Sequence, residues 1–134
     1  MNILVDTSAM YAMADGSDFN NQAALQAWAK LLQEADLLVT SSYALAETIS
    51  LLHARAGTSV VRAFVETVLS AIEIDWVDQE THDAALSMML ETEGKSGPSL
   101  TDCANLEAMR RLRINTIFAY DKHYNQPGIT VLGG

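Results

Sequence analysis

Short apolar runs alternate with longer segments of helical periodicity along this chain, and that alternation constrains the fold more than any other feature. Ile3-Leu4-Val5, Leu37-Leu38-Val39-Thr40, the segment from Ile72 to Val77, Thr116-Ile117-Phe118-Ala119-Tyr120 and Ile129-Thr130-Val131-Leu132 read as buried strands. Between them, residues 20–34 place Ala24, Trp28 and Leu31 or Leu32 at helical spacing, and residues 59–71 place Val61, Phe64, Val65 and Val68 on one side. Further helices are predicted over 7–13, 43–55, 79–92 and 99–112. Ser41 and Ser42 offer caps for the helix at 43, Gly57 stops it, and Asp15-Gly16-Ser17-Asp18 and residues 94–98 are turn or loop signals. Such alternation predicts an α/β fold around a mostly parallel sheet, with function gathered beyond the carboxyl ends of the strands.

Uniform composition over 134 residues predicts one domain, 1–134, large enough to bury a core without staples. No apolar run approaches the roughly eighteen residues of a membrane span. The opening Met1-Asn2-Ile3 has neither a basic nor an apolar leader region. Cys103 is the single cysteine, which excludes a disulfide framework and a multi-thiolate zinc site. A cytoplasmic protein with no membrane partner is expected. The formal charge of −9 argues against a protein that coats phosphates nonspecifically. It does not exclude a nucleic-acid enzyme whose carboxylates hold a divalent ion. The basic residues Lys95, Arg110, Arg111, Arg113 and Lys122 fall late in the chain, so an anionic ligand is expected there.

Four acids stand out by context. Asp6 follows the first strand and Asp121 the fourth, so a parallel sheet projects both from one edge. Asp102 lies in the first turn of the helix at 99–112. Glu47 is the one charged residue between Thr40 and Arg55, in an otherwise apolar helix. Each Asp has a plain structural reading: Asp6 as a helix cap, Asp102 as the end of a Ser-x-x-Asp capping box, Asp121 as a turn cap. Glu47 does not, because a buried carboxylate must be paired, protonated or bound to metal. If the four converge, a hard cation such as Mg²⁺ or Mn²⁺ relieves their repulsion better than protonation does. The His and Cys clusters that zinc hydrolysis requires are missing. A haloacid-dehalogenase-type phosphatase needs a second Asp where Ser8 stands, and a receiver-domain pattern is not met either.

These same residues resemble the PIN-domain nucleases, most closely the VapC-like toxins of toxin–antitoxin pairs. The carrying blocks are Ile3-Leu4-Val5-Asp6-Thr7-Ser8-Ala9, Tyr43-Ala44-Leu45-Ala46-Glu47, Ser99-Leu100-Thr101-Asp102 with Ala104, and Ile117 through Asp121-Lys122-His123-Tyr124. The resemblance covers essentially the whole chain. It implies a three-layer α/β/α fold around a five-stranded sheet and Mg²⁺- or Mn²⁺-dependent hydrolysis of RNA leaving a 5′-phosphate and a 3′-hydroxyl. It also implies a homodimer and a small antitoxin whose tail blocks the acidic pocket. Asp6, Glu47, Asp102 and Asp121 would be the catalytic, metal-binding acids. Asp6 and Asp102 come first as direct ligands, with Glu47 and Asp121 acting through water or on the nucleophile. Thr7 or Ser8 would supply a hydroxyl near Asp6. Lys95, Arg110, Arg111 and Arg113 would contact RNA phosphates, where the competing reading is a solvated helix end favoured by its dipole. Tyr120 departs from the small, polar or basic residue of many relatives.

Met10, Met13, Met88, Met89, Trp28 and Trp76 are expected in core or interface packing. The apolar faces of the helices at 20–34 and 43–71 are candidate grooves for an antitoxin helix. His53, His82 and His123 have no ligand spacing to one another; His123, two residues after Asp121, is in place to touch substrate but reads first as a surface residue. Cys103 reads as a small buried hydrophobe. The alternative function is a catalytically silent PIN-like domain that binds RNA or a protein partner.

Overall fold

A computed structural model describes residues 1–133. Five strands form the sheet: β1 (Asn2–Val5), β2 (Leu37–Ser41), β3 (Glu73–Asp75), β4 (Thr116–Ala119) and β5 (Thr130–Gly133). Their spatial order is β3-β2-β1-β4-β5, and all four pairings are parallel. Helices α1 (Thr7–Ala14), α2 (Asn21–Glu34), α3 (Ser42–Ala56), α4 (Thr58–Glu66), α5 (Gln79–Leu90) and α6 (Leu100–Leu112) cover it.

Alternation along the strands makes the three layers. Ile3, Val5, Leu38 and Phe118 face a core shared with α1 to α4, including Met10, Trp28, Leu52 and Phe64. Leu4, Val39, Ile117 and Ala119 face the opposite side, against Ala108 and Met109 of α6 and the fully buried Tyr124. There α5 packs on α6 through Ala85, Cys103 and Ala104. No helix among the described residues is long and apolar enough to cross a membrane.

Most boundaries match the sequence reading. The helix expected over 59–71 instead ends at Glu66, where Thr67 leaves helical geometry, and a 3₁₀ turn over Leu69–Ala71 leads into the sheet. The strand expected from Ile72 to Val77 shrinks to Glu73–Asp75 because its pairing with β2 ends at Ser41↔Asp75. Trp76, just past that end, is 72% exposed and not in the core. Gly57 ends α3 at φ +91°, a left-handed conformation that favours glycine. Ser41 caps α3 through Ala44 N–H, while Ser42 accepts from Val77 N–H.

Candidate metal centre and active-site cleft

The hydrogen-bonded pairing of β1 with β4 aligns Val5 with Phe118, and Asp6 N–H continues it to the Phe118 carbonyl. Asp6 and Asp121 therefore leave the sheet at one edge. The first turn of α6 brings Asp102 to the same place. Tyr124 Oη joins two of the acids, 2.8 Å from Asp6 Oδ1 and 3.1 Å from Asp102 Oδ1. Asp6, Asp102, Asp121 and Glu47 line one cleft of about 320 Å³.

Each aspartate holds its structural role and its place in the cleft together. Asp6 caps α1 through Ser8 N–H at 3.0 Å. Asp102 completes the capping box with Ser99, accepting its N–H at 2.9 Å. Asp121 accepts His123 N–H at 2.8 Å, shaping the 3₁₀ turn Lys122–Tyr124. The cap geometry thus fixes where each carboxylate points.

Asp6 is the most constrained. Four donors reach it: Ser8 N–H, Ser8 Oγ at 2.6 Å, Asn105 Nδ2 at 2.9 Å and Tyr124 Oη. A carboxylate offers about four lone-pair sites, so this one is filled by protein. Among the described residues, Asp121 accepts hydrogen bonds only on Oδ1. The sequence reading ranks Asp6 above Asp121 as a direct ligand; the hydrogen bonding leaves Asp121 the freer of the two.

Burial sets the electrostatics. It pushes the Asp6 carboxyl above its ordinary range, against the lowering effect of the Ser8 and Tyr124 hydrogen bonds, with the Asp121 charge adding to the rise. Asp102 is raised by burial too, then by the charges of Asp121 and Asp6, while the Ser99 N–H opposes. The buried Tyr124 hydroxyl beside two carboxylates is pushed far up and stays protonated. His123 is raised chiefly by its bond to the Ser96 carbonyl, then by Asp121 and Asp102. Repelling carboxylates in a partly dry cleft fit a hard divalent cation. One ligand atom each from Asp102, Asp121 and His123 lies within 4.8 Å of the others.

Several expected residues sit differently. Glu47 is exposed rather than buried, because its side of α3 forms the cleft wall and not the core. The burial argument for it fails, although its place in the cleft stands. Ser8 Oγ donates to Asp6 and accepts Tyr120 N–H at 2.9 Å, and Thr7 Oγ1 donates to the Ala44 carbonyl. Both hydroxyls are thus engaged by protein at the cleft. Lys95, Arg110 and Arg111 do not line it. Arg110 binds Glu107, Arg111 binds Asp75, and Lys95 lies exposed in the loop before α6. At 1.5 Å per residue, Arg110 and Arg111 start about 12–14 Å along α6 from Asp102. The basic side chain that does line the cleft is Arg55, whose guanidinium lies 5.3 Å over the Tyr11 ring.

Asn105 is a further residue that spacing alone leaves unassigned. It is fully buried, donates to Asp6 and Tyr124 Oη, and meets Ser41 Oγ at 2.6 Å. It ties the ends of β1 and β2 to α6. Its signal is faint: a polar residue three after Asp102, on the same helix face.

The PIN domain family matches residues 3–129 of the chain. The chain is 24% identical over 127 residues to the 23S rRNA-specific endonuclease VapC20 of Mycobacterium tuberculosis, covering 94% of each. The crystal structure of that Sarcin-Ricin loop cleaving toxin superposes with a TM-score of 0.85 at 22% identity, over 99% of this chain and 100% of the other. VapBC2 from Rickettsia felis, bound to a promoter DNA fragment, superposes at 0.72 with 15% identity over 98% of each chain. FitAcB from Neisseria gonorrhoeae superposes at 0.68 with 15% identity, over 97% of this chain and 96% of the other. With that match over nearly its whole length, the chain belongs to the PIN domain family.

Proposed function

We propose that this protein is a divalent-metal-dependent endoribonuclease, the toxin of a toxin–antitoxin pair. The carrying observation is the meeting of Asp6, Glu47, Asp102 and Asp121, from four separate stretches, in one cleft of a PIN domain. VapC20 is an endonuclease specific for 23S rRNA, which supports structured RNA as the substrate class here.

Asp102 and Asp121 would hold the Mg²⁺ or Mn²⁺, with Glu47 on the open rim and Asp6 positioning Asp102 through the Tyr124 hydroxyl. The bound ion supplies Lewis-acid activation of phosphate and water. Asp6 is held by Ser8, Asn105 and Tyr124, so the acids are positioned before substrate arrives. Glu47 faces solvent, where a carboxylate can accept a proton from the attacking water. Arg55 offers the cleft a positive charge for a phosphate flanking the scissile one.

An antitoxin partner is supported by the likeness of the fold to a toxin–antitoxin complex from Klebsiella pneumoniae (TM-score 0.64, 18% identity), and by an apolar groove between α2 and α4 lined by Leu25, Trp28, Leu32, Val60 and Phe64. We take the chain to act as a single domain, as a homodimer and in the cytoplasm. The test is cleavage of ribosomal RNA with end mapping, in chelator and after Mg²⁺ or Mn²⁺ is restored. Cleavage that needs the ion and leaves 5′-phosphate ends supports the reading. Unchanged cleavage in EDTA removes the metal role, and RNA bound but never cut is the behaviour of a silent binding module.

A further inference from the structure

His123 stands in the short turn after β4, and its two ring nitrogens have different surroundings. Nε2 lies 3.0 Å from the Ser96 carbonyl oxygen. A carbonyl oxygen only accepts, which assigns a hydrogen to Nε2. Nδ1 is buried and has no hydrogen-bond partner. It nevertheless lies 2.8 Å from Asp121 Oδ1 and 3.4 Å from Asp102 Oδ2. Neither approach has hydrogen-bond geometry.

A ring nitrogen and two carboxylate oxygens therefore converge at ion-pair distances, with no well-aligned hydrogen bond among them. Adjacent ligands on an octahedral ion with bonds of about 2.1 Å stand about 3 Å apart, and the two contacts straddle that spacing. Metal-binding histidines characteristically donate their other N–H to a carbonyl or carboxylate, which fixes the tautomer and the ring direction. The Ser96 carbonyl does this for His123.

We infer that His123 Nδ1 is a direct nitrogen ligand to the divalent ion of the Asp102–Asp121 site, and that it biases the site toward transition ions over Mg²⁺. The inference rests on the metal-dependent reading above and adds a nitrogen donor to the Asp102–Asp121 pair. Mg²⁺ prefers oxygen donors, whereas an imidazole strengthens binding of first-row transition ions.

The test uses Mn²⁺ as the probe on the full chain. Electron spin-echo envelope modulation reads ¹⁴N coupled to bound Mn²⁺. The chain has three histidines, so a His53→Gln, His82→Gln double variant leaves His123 alone. The expected result is strong ¹⁴N modulation in wild type and in that double variant, and none in His123→Gln. Calorimetry should show Mn²⁺ affinity falling about tenfold in His123→Gln, with Mg²⁺ affinity changing by no more than about twofold. Bound Mn²⁺ without ¹⁴N modulation in wild type overturns the inference and leaves the metal-nuclease reading standing. Failure of wild type to bind Mn²⁺ at all overturns both. If His123→Gln does not fold, the double variant alone decides.

Discussion

Asp6 and Asp102 share one proton, that of the Tyr124 hydroxyl, which lies 2.8 Å from the first and 3.1 Å from the second. One hydrogen serves two buried acceptors, and Asn105 Nδ2 fills the remaining side of that oxygen at 2.9 Å. Tyr124→Phe removes the shared donor and leaves two carboxylates with less compensation. We expect it to destabilise the metal-free protein at neutral pH by about 1–3 kcal/mol. Saturating Mn²⁺ should recover part of this loss by mass action. Denaturant unfolding with and without Mn²⁺ reads both effects. Unchanged stability in the metal-free state would show that the hydroxyl is not needed between the acids.

Asp102 gives a pH test with a definite sign. Its carboxyl is raised above the unfolded value by burial and by Asp121 and Asp6. Between the ordinary value of 3.8 and the raised one, the folded state binds more protons than the unfolded chain. Stability from this group is therefore greatest below 3.8 and is lost as pH rises through the folded value. Asp102→Asn removes that penalty. Its amide can keep the Ser99 N–H on oxygen and direct its own hydrogen to Tyr124 Oη. The metal-free variant should be more stable than wild type at pH 7, read as a higher Tm, and lose most Mn²⁺ affinity. The stability gain should vanish below 3.8. A variant less stable than wild type at pH 7 contradicts this account of the cluster.

Arg55 and Arg110 separate two ideas about substrate binding. Arg55 lines the cleft, whereas Arg110 is paired to Glu107 outside it. Arg55→Ala should weaken binding of a catalytically protected RNA about fivefold to tenfold and reduce the salt slope by about one. Arg110→Ala should stay within twofold. The reverse ranking would return phosphate binding to the far part of α6.

Glu47 is exposed, so Glu47→Gln should move stability by no more than about 0.5 kcal/mol. If this carboxylate acts on the nucleophile, the same change should lower kcat at least tenfold. A variant that folds and turns over like wild type would leave Glu47 a bystander on the cleft wall.

The α/β fold with its parallel sheet, and the positions of three of the four acids, are legible because they depend on local rules. Asp6 and Asp121 sit immediately beyond strands, and Asp102 ends a capping box; those motifs fix position without knowledge of packing. Glu47 lines the cleft, but the burial expected for it from the sequence does not hold, since an apolar sequence neighbourhood does not show which face a helix buries. Asn105, His123 and Arg55 acquire their roles through contacts with residues distant in sequence. Asn105 meets Ser41 and Asp6, His123 meets Ser96 and Asp102, and Arg55 covers Tyr11. Late clustering of basic residues points to the arginines of α6 instead, but chain position does not reveal that the cleft lies at that helix's other end.

Manganese anomalous diffraction from crystals of the wild-type protein tests the central claim most directly. The account predicts one or two peaks inside the cleft, bounded by the carboxylates of Asp102 and Asp121, and lost in Asp102→Asn. No peak there at a Mn²⁺ concentration that supports full RNA cleavage would contradict it.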